Sequence, residues 1–196
     1  MSGLRSIAVR LALLVGIPAV VLLAGCDVFS TRSPDPPIED TGTFVQPDTP
    51  DDVIDNIRNA IGELNAQNYR RSFAPDFTFE PSADAAARDP SIWMGWGDQQ
   101  EESYFSALVE AARLSTGNEL RLSDVETTAG ETEFAVNATY LLTISHRRPE
   151  LSETLQGRLV WTISQRDDGL WYLSEWTDRQ VGDAASWSDL KAAFIK

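Results

Sequence analysis

Cys26 is the only cysteine of the 196-residue chain, and the residues before it define what its thiol can do. Residues 23–25 (Leu-Ala-Gly) precede it directly and close an apolar stretch, residues 11–23, which follows Arg5 and Arg10. A secretory signal peptide has three parts: a positively charged N-terminal region, an apolar stretch, and small residues before the cleavage site. The thiol lies where a diacylglyceryl thioether would form before a peptidase cleaves the chain ahead of the cysteine.

The four residues 23–26 and the apolar stretch before them resemble the signal of bacterial lipoproteins. The stretch is shorter than the roughly 20 apolar residues that a membrane span needs. The resemblance implies that residues 1–25 are a removed signal peptide and that Cys26 carries lipid, palmitate included. We therefore expect a membrane-anchored protein of the bacterial cell envelope that faces the periplasm or the cell exterior. Two or three acyl chains give lasting attachment, whereas one gives only marginal binding.

After Cys26 the composition changes to Pro, Asp, Ser, Thr and Gly up to residue 48. Such a segment cannot bury enough apolar surface to offset the entropy of ordering. The sequence thus predicts a disordered tether over residues 26–48 and one folded domain over residues 49–196.

The formal net charge of the chain is −14, and its longest basic run is only residues 146–148. Binding to a phosphate backbone requires basic patches that displace counterions. The charge therefore argues against a nucleic-acid partner, and an acidic surface favours solubility.

Helical patterns dominate the first part of the predicted domain. Thr49 and Pro50 open a helix to about residue 66, because Thr accepts from free amides and Pro suits the first helical position. A short second helix over residues 69–73, capped by Asn68, and a brief strand over residues 77–79 follow. Asp98 and Glu101 then resemble a capping box for a third helix that ends near Gly117.

The apolar period changes from about 3.6 to 2 after Gly117, which indicates antiparallel strands. We expect strands over residues 120–125, 134–144, 155–163 and 170–176, with a hairpin turn at residues 167–169 (Asp-Asp-Gly). Ser186 and Asp189 predict a cap for a last short helix whose apolar side carries Trp187, Leu190 and Phe194.

Residues 51–176 resemble the nuclear transport factor 2-like superfamily in the order of these elements. The segment 73–79 (Phe-Ala-Pro-Asp-Phe-Thr-Phe) and the closing hairpin segment 169–176 carry this likeness. The resemblance implies an α+β, cystatin-like cone in which a curved antiparallel sheet wraps around the N-terminal helices. Such cones leave a pocket at their open end.

Catalytic members of that superfamily, such as ketosteroid isomerase and dehydratases, place Asp, His or Tyr in the cone as general acid or base. Carboxylates do this work where burial raises their pKa. The resemblance implies Asp76, Tyr140 and Glu175 as candidates here, with Arg158 or Arg179 as the partner of a buried Glu175. Asp76 alternatively caps a turn, and Tyr140 alternatively belongs to the core with its hydroxyl reaching water.

Trp93 and Trp96 lie in a glycine-containing loop, where they either close the open end of the cone or stack on a ligand. The one histidine, His146, lies beside Arg147 and Arg148 at a strand end, which predicts an exposed hairpin. No Asp-His pair is available at matching positions, so we assign no catalytic residue.

The sequence contains no metal-ligand spacing and no phosphate-binding glycine loop, so we expect no metal and no cofactor.

The leading hypothesis is a lipid-anchored, non-enzymatic protein that binds a small apolar ligand or a protein partner. The alternative is an isomerase or dehydratase that acts in the cone, and a third hypothesis is a cone filled by Trp93 and Trp96. The second faces of the long strands also predict a homodimer contact through the sheet. They carry Ala135, Thr139, Leu141, Val160 and Thr162.

Overall fold

Helices cover one side of a five-stranded sheet in the computed structural model, which describes residues 42–113 and 115–195. The helices are α1 (Pro50–Glu63), α2 (Ala66–Arg71), α3 (Ala83–Arg88), α4 (Asp98–Ala112) and α5 (Trp187–Phe194), with a 3₁₀ turn at Pro90–Trp93. The strands are β1 (Phe73–Glu80), β2 (Glu119–Ala129), β3 (Glu133–Thr143), β4 (Thr154–Gln165) and β5 (Trp171–Gln180). The predicted α+β class is confirmed. No helix in the described ranges is long and apolar enough to cross a bilayer.

The sheet has the strand order β1-β5-β4-β3-β2 and is mixed rather than wholly antiparallel. Strands β2 to β5 form an antiparallel meander, whereas β1 pairs parallel with β5. The strand predicted at 77–79 is longer in the structure, where β1 begins at Phe73 and includes Pro75. An edge strand tolerates proline, since the missing N–H then faces no partner.

Local capping explains where the helices begin. Thr49 Oγ1 accepts from the Asp52 amide at 3.3 Å, and Thr49 N donates to the Asp52 carboxylate at 2.9 Å, so the predicted start of α1 is confirmed. Asn65, not Asn68, caps α2. The sequence analysis missed α3, whose cap is Ser82.

The predicted capping box of Asp98 and Glu101 is wrong. Gly97 is the N-cap of α4, and its amide donates to Gln100 Oε1 at 3.1 Å. Asp98 is therefore the first helical residue. Because Gln100 supplies the cap, the Glu101 side chain is free to turn toward the sheet.

A β-bulge in β5 decides which side chains face the helices. Ile163 pairs with Leu173 and Thr162 pairs with Glu175, so Ser174 is an extra residue on β5. A bulge of one residue exchanges the two faces of the strand beyond it. Trp176 and Asp178 consequently face the helices, and Glu175 faces outward.

Residues 42–48, within the predicted tether, already lie on the folded unit. Thr43 N donates to the Glu63 carboxylate at 2.9 Å, and Trp171 N donates to the Pro47 carbonyl at 2.9 Å. The ordered chain therefore begins before residue 49. Cys26 and the predicted signal peptide lie outside the described residues.

Candidate functional site in the cone interior

Two opposite charges lie completely buried between the helices and the sheet. Lys191 of α5 is 0% exposed and Glu101 of α4 is 1% exposed. The Lys191 Nζ atom lies 2.5 Å from Glu101 Oε2. An unpaired charge in this position would cost several kcal/mol, whereas a paired and hydrogen-bonded one is tolerated.

Glu101 has two further partners, and Lys191 is surrounded by aromatic rings. Tyr69 Oη donates to Glu101 Oε1 at 2.7 Å, and Trp96 Nε1 donates to Glu101 Oε2 at 2.8 Å. The Lys191 Nζ atom lies 3.6 Å from the ring centroid of Phe79 and 3.8 Å from that of Trp176. We call the five residues around this ammonium group the ammonium box. They are Glu101, Tyr69, Trp96, Phe79 and Trp176.

The ammonium box keeps Lys191 charged at neutral pH. Burial lowers the pKa of Lys191 to about 8, and the Glu101 carboxylate opposes that shift. Aromatic faces attract a desolvated cation through the ring quadrupole, by about 2 kcal/mol or more. Lys191 therefore keeps its proton at pH 7.

A second buried network joins the same helix to the sheet. Tyr140 Oη donates to Asp178 Oδ1 at 2.8 Å, while the amide of Ser188 at 2.8 Å and its hydroxyl at 2.5 Å both donate to Asp178 Oδ2. The Trp187 amide donates to Tyr140 Oη at 2.7 Å, and its indole N–H donates to Tyr104 Oη at 3.0 Å. Burial raises the pKa of both tyrosines.

Helix α5 thus occupies the interior of the cone with its own side chains. Trp187 packs edge-on against the ring of Trp176, with centroids 4.4 Å apart, and Lys191 fills the ammonium box. Gly157 makes room for this arrangement, because a Cβ there would come within 2.5 Å of the Tyr140 hydroxyl. The buried carboxylates of Glu101 and Asp178 are each hydrogen-bonded to three groups of the domain itself. The indole N–H groups of Trp161 and Trp176 are buried without a hydrogen-bond partner.

Trp93 and Trp96 belong to the packed interior. Trp93 donates to the Ala85 carbonyl at 3.2 Å, and the two indole centroids lie 5.0 Å apart. The structure therefore places both where the filled-cone hypothesis put them. The side chains of α5 fill the cone together with these two indoles, although this helix was not predicted to lie in the interior.

Of the predicted ionisable candidates, only Tyr140 faces the interior. Its place in the core agrees with the prediction, but its hydroxyl contacts Asp178 instead of water. Asp76 is exposed and pairs with Arg166.

Glu175 and Arg158 also lie on the exposed side of the sheet. Glu175 accepts a hydrogen bond from Thr162, and Arg158 donates to Asn137 at 3.4 Å. The expectation that Glu175 could face the interior fails because of the bulge at Ser174.

The expectation of an exposed His146 is wrong. His146 is 4% exposed, and its ring lies edge-on to Phe194 of α5, with centroids 5.6 Å apart. The Arg148 amide donates to His146 Nδ1 at 3.3 Å, and Nε2 lies 3.3 Å from the Ser152 carbonyl. The chain between β3 and β4 folds over the end of α5, which buries the imidazole.

Sequence reasoning missed Glu101, Asp178 and Lys191, although two of them carried a signal. Glu101 lies on the stripe of α4 that also holds Tyr104, Phe105, Leu108 and Ala112. Lys191 lies four residues after Trp187, which places both on one face of a helix. A charged residue on an apolar stripe indicates a buried pair. Within the described residues, no group of three or more His, Cys, Asp or Glu side chains is placed to hold a metal.

Comparison with solved structures identifies the fold. A nuclear transport factor 2-like superfamily protein from Salmonella enterica aligns with a TM-score of 0.51 at 11% identity, over 67% of this chain and 89% of that chain. A putative scytalone dehydratase from Novosphingobium aromaticivorans gives 0.52 at 12% identity, over 67% and 81%. A protein of unknown function from Mycobacterium tuberculosis gives 0.50 at 14% identity, over 73% and 82%.

The described domain therefore has the nuclear transport factor 2-like fold. Identities of 11–14% show the fold alone. No protein-family model and no curated protein matches the sequence.

The lowered pKa of Lys191 predicts a pH dependence of stability. Between pH 8 and about 10 the unfolded chain keeps this proton and the folded chain releases it, so the free energy of unfolding rises with pH. We expect a rise of about 2 kcal/mol from pH 8 to about pH 9.5 in urea unfolding. Above about pH 10 the trend reverses, because the raised pKa values of Tyr69 and Tyr104 make the folded chain hold protons that the unfolded chain loses.

The control for this measurement is Lys191→Met, which keeps an unbranched stem but has no titrating group. The rise between pH 8 and about pH 9.5 should disappear in this variant. An equal rise in both proteins would contradict the assignment to Lys191.

Proposed function

We propose that this protein is a lipid-anchored component of the bacterial cell envelope whose domain binds a protein partner on its outer surface and is not an enzyme. The proposal rests on the observation that side chains of α5 fill the interior of the cone. Trp187 and Lys191 of α5 are fully buried where a ligand or substrate would lie. With the interior filled, the surfaces left for recognition are outside.

The filled cone favours a protein partner over the small apolar ligand that the sequence left open. An apolar ligand needs a concave site that buries most of its surface. A groove of about 1220 Å³ does exist between α2, the start of β1 and the β4–β5 turn. Its lining mixes apolar residues such as Phe44 and Phe73 with charged ones such as Arg166, and the groove is open to solvent rather than enclosed.

An isomerase or dehydratase in the cone is the second candidate, and one observation favours it. Tyr140 and Asp178 form a buried hydroxyl–carboxylate pair of the kind that proton transfer uses. Both groups are already hydrogen-bonded to α5, at Trp187 and Ser188. The groups that a substrate would have to contact are thus already bonded to the chain itself, so the binding function is better supported.

We place the partner surface on the outer faces of β3 and β4, and the partner we favour is a second copy of this chain. The helices cover the other face of the sheet, so this face has no layer of its own. Its side chains at alternate positions from 135 to 143 and from 156 to 164 include one charged residue, Arg158. Leu141, which pairs with Gln156 near one end of this patch, is 37% exposed. A self-complementary, weakly charged patch is what a symmetric dimer uses.

The membrane anchor is proposed from Cys26 and the signal-like residues before it. The folded unit contributes no basic patch for anionic lipid, which leaves the acyl chains as the attachment. Residues between Cys26 and Thr43 then connect the lipid to α1.

A substitution that introduces a charged side chain on the outer face of the sheet tests the proposed dimer. Leu141→Glu should weaken the dimer by at least about tenfold, because a symmetric interface receives the substitution twice. Sedimentation velocity over a concentration series measures the dissociation constant. Met94→Glu is the matched control, since Met94 is 79% exposed and lies away from the sheet face. A monomeric parent protein, or equal dimerisation of both variants, would refute the sheet contact.

Removal of the thiol tests the anchor. Cys26→Ser should abolish incorporation of labelled palmitate in the native host and release the protein from the membrane fraction. Ser30→Ala, in the same segment, should leave both unchanged. Palmitate labelling that persists in Cys26→Ser would refute the proposed lipid site.

A further inference from the structure

The ammonium box is built by parts of the chain other than the helix that fills it. Glu101 comes from α4, Tyr69 from α2, Phe79 from β1 and Trp176 from β5. Tyr69 and Trp96 hold both carboxylate oxygens of Glu101 in place, at 2.7 and 2.8 Å. The carboxylate is therefore oriented by groups that do not belong to α5.

The aromatic walls are fixed in the same way. The rings of Phe79 and Trp176 lie edge to face, with centroids 5.4 Å apart, and Trp96 lies 5.8 Å from Phe79. Neither contact involves α5, although Trp176 also packs against Trp187 of that helix. A site whose walls and anion are held by their own neighbours is preorganised, which lowers the cost of binding.

We propose that the ammonium box is a binding site for a primary alkylammonium ion, and that Lys191 is an internal ligand with which an external primary amine competes. This inference goes beyond the partner surface on the sheet, because it concerns the interior. One end of the site is a buried carboxylate and its sides are ring faces.

The geometry selects a primary ammonium over a quaternary one. Lys191 Nζ donates directly to Glu101 at 2.5 Å, which requires an N–H group. The same nitrogen lies 3.6 and 3.8 Å from two ring centroids, so an unbranched chain fits between them. A tetramethylammonium ion has no N–H to donate and is bulkier at the nitrogen.

Helix α5 is the element that can leave without opening the sheet. It belongs to no strand ladder, and residues 181–183, the first half of the segment that joins it to β5, are exposed. Its hydrogen bonds to the domain come from the side chains of Trp187, Ser188 and Lys191 and from the amides of Trp187 and Ser188. The segment before it is tied to β4 by one backbone bond, in which the Gln156 amide donates to the Ala185 carbonyl at 3.1 Å. Elements held in this way open locally at a lower free energy than the core of a sheet.

The first test removes the internal ligand and supplies an external one. In Lys191→Ala the missing atoms are three methylenes and the ammonium group, which n-propylammonium replaces atom for atom. We expect n-propylammonium to raise the melting temperature of this variant in a saturable manner, with an affinity at least about tenfold above that of tetramethylammonium or n-propanol. Equal stabilisation by n-propanol would show that any molecule of this size fills the cavity regardless of its charge. That result would overturn the proposal.

Two matched variants distinguish recognition of the ammonium group by Glu101 from simple filling of the cavity. Lys191→Met keeps the volume filled, so n-propylammonium should not raise its melting temperature. Lys191→Ala combined with Glu101→Gln keeps the cavity but lacks the carboxylate, and it should lose at least about tenfold in affinity. Unchanged affinity in the double variant would overturn the assigned role of Glu101.

If Lys191→Ala does not fold alone, its refolding yield is measured against n-propylammonium concentration. Recovery with n-propylammonium but not with tetramethylammonium supports the proposal. Failure to recover at any concentration, while Lys191→Met folds, overturns it.

The second test uses the unaltered protein. A ligand that competes with Lys191 shifts the population toward the state with α5 displaced. At about ten times the dissociation constant measured in Lys191→Ala, hydrogen exchange at the α5 amides should accelerate about tenfold, while the amides of β4 stay unchanged. Tetramethylammonium chloride at equal ionic strength should have no effect. An α5 exchange rate that is the same with both salts would overturn the competition.

Discussion

The ion pair between Glu101 and Lys191 is the interaction on which the interior of this domain depends. The two residues are 90 positions apart in the chain, and neither side chain has access to water. Breaking a buried pair by removing one partner typically costs about 3–5 kcal/mol, because the remaining charge has no compensation. Glu101 of α4 and Lys191 of α5 therefore compensate each other's burial. The rings of Phe79 and Trp176 pack around the ammonium group.

The bulge at Ser174 determines which acidic side chain of β5 takes part in this interior. Without the extra residue, Glu175 would alternate with Leu173 into the core; with it, Asp178 faces α5 and receives the hydrogen bonds of Tyr140 and Ser188. The outer face then keeps Glu175 at its surface. One inserted residue thus gives β5 a charged outer side and a polar anchor for α5. It also explains why the catalytic candidate Glu175 does not meet Tyr140.

Periodicity predicted the fold class, the start of α1 and the long strands, because burial of one face imposes a period on the sequence. The bulge and the parallel pairing of β1 depend on tertiary contacts that impose no period on the sequence. The cap at Gly97 is local, but it is made by a backbone amide and Gln100 rather than by the capping side chain that the sequence suggested. Glu101 was assigned to a cap, since a carboxylate near a helix start usually has that role. Lys191 is one of only two lysines in a chain with fourteen arginines, and it lies on the face of Trp187. That choice of residue is the sequence signal for a buried ammonium group, because lysine adapts to burial more readily than arginine.

The most direct test of the filled cone is the chemical shift of the Lys191 ε-methylene protons in protein with isotope-labelled lysine. Their nitrogen lies 3.6 Å from the centroid of Phe79 and 3.8 Å from that of Trp176. Ring currents should move one lysine ε-methylene signal far upfield, with cross-relaxation to both rings, and Lys191→Met should remove that signal. Two lysine signals at the positions of solvated side chains would contradict the account, since Lys191 would then lie outside the cone.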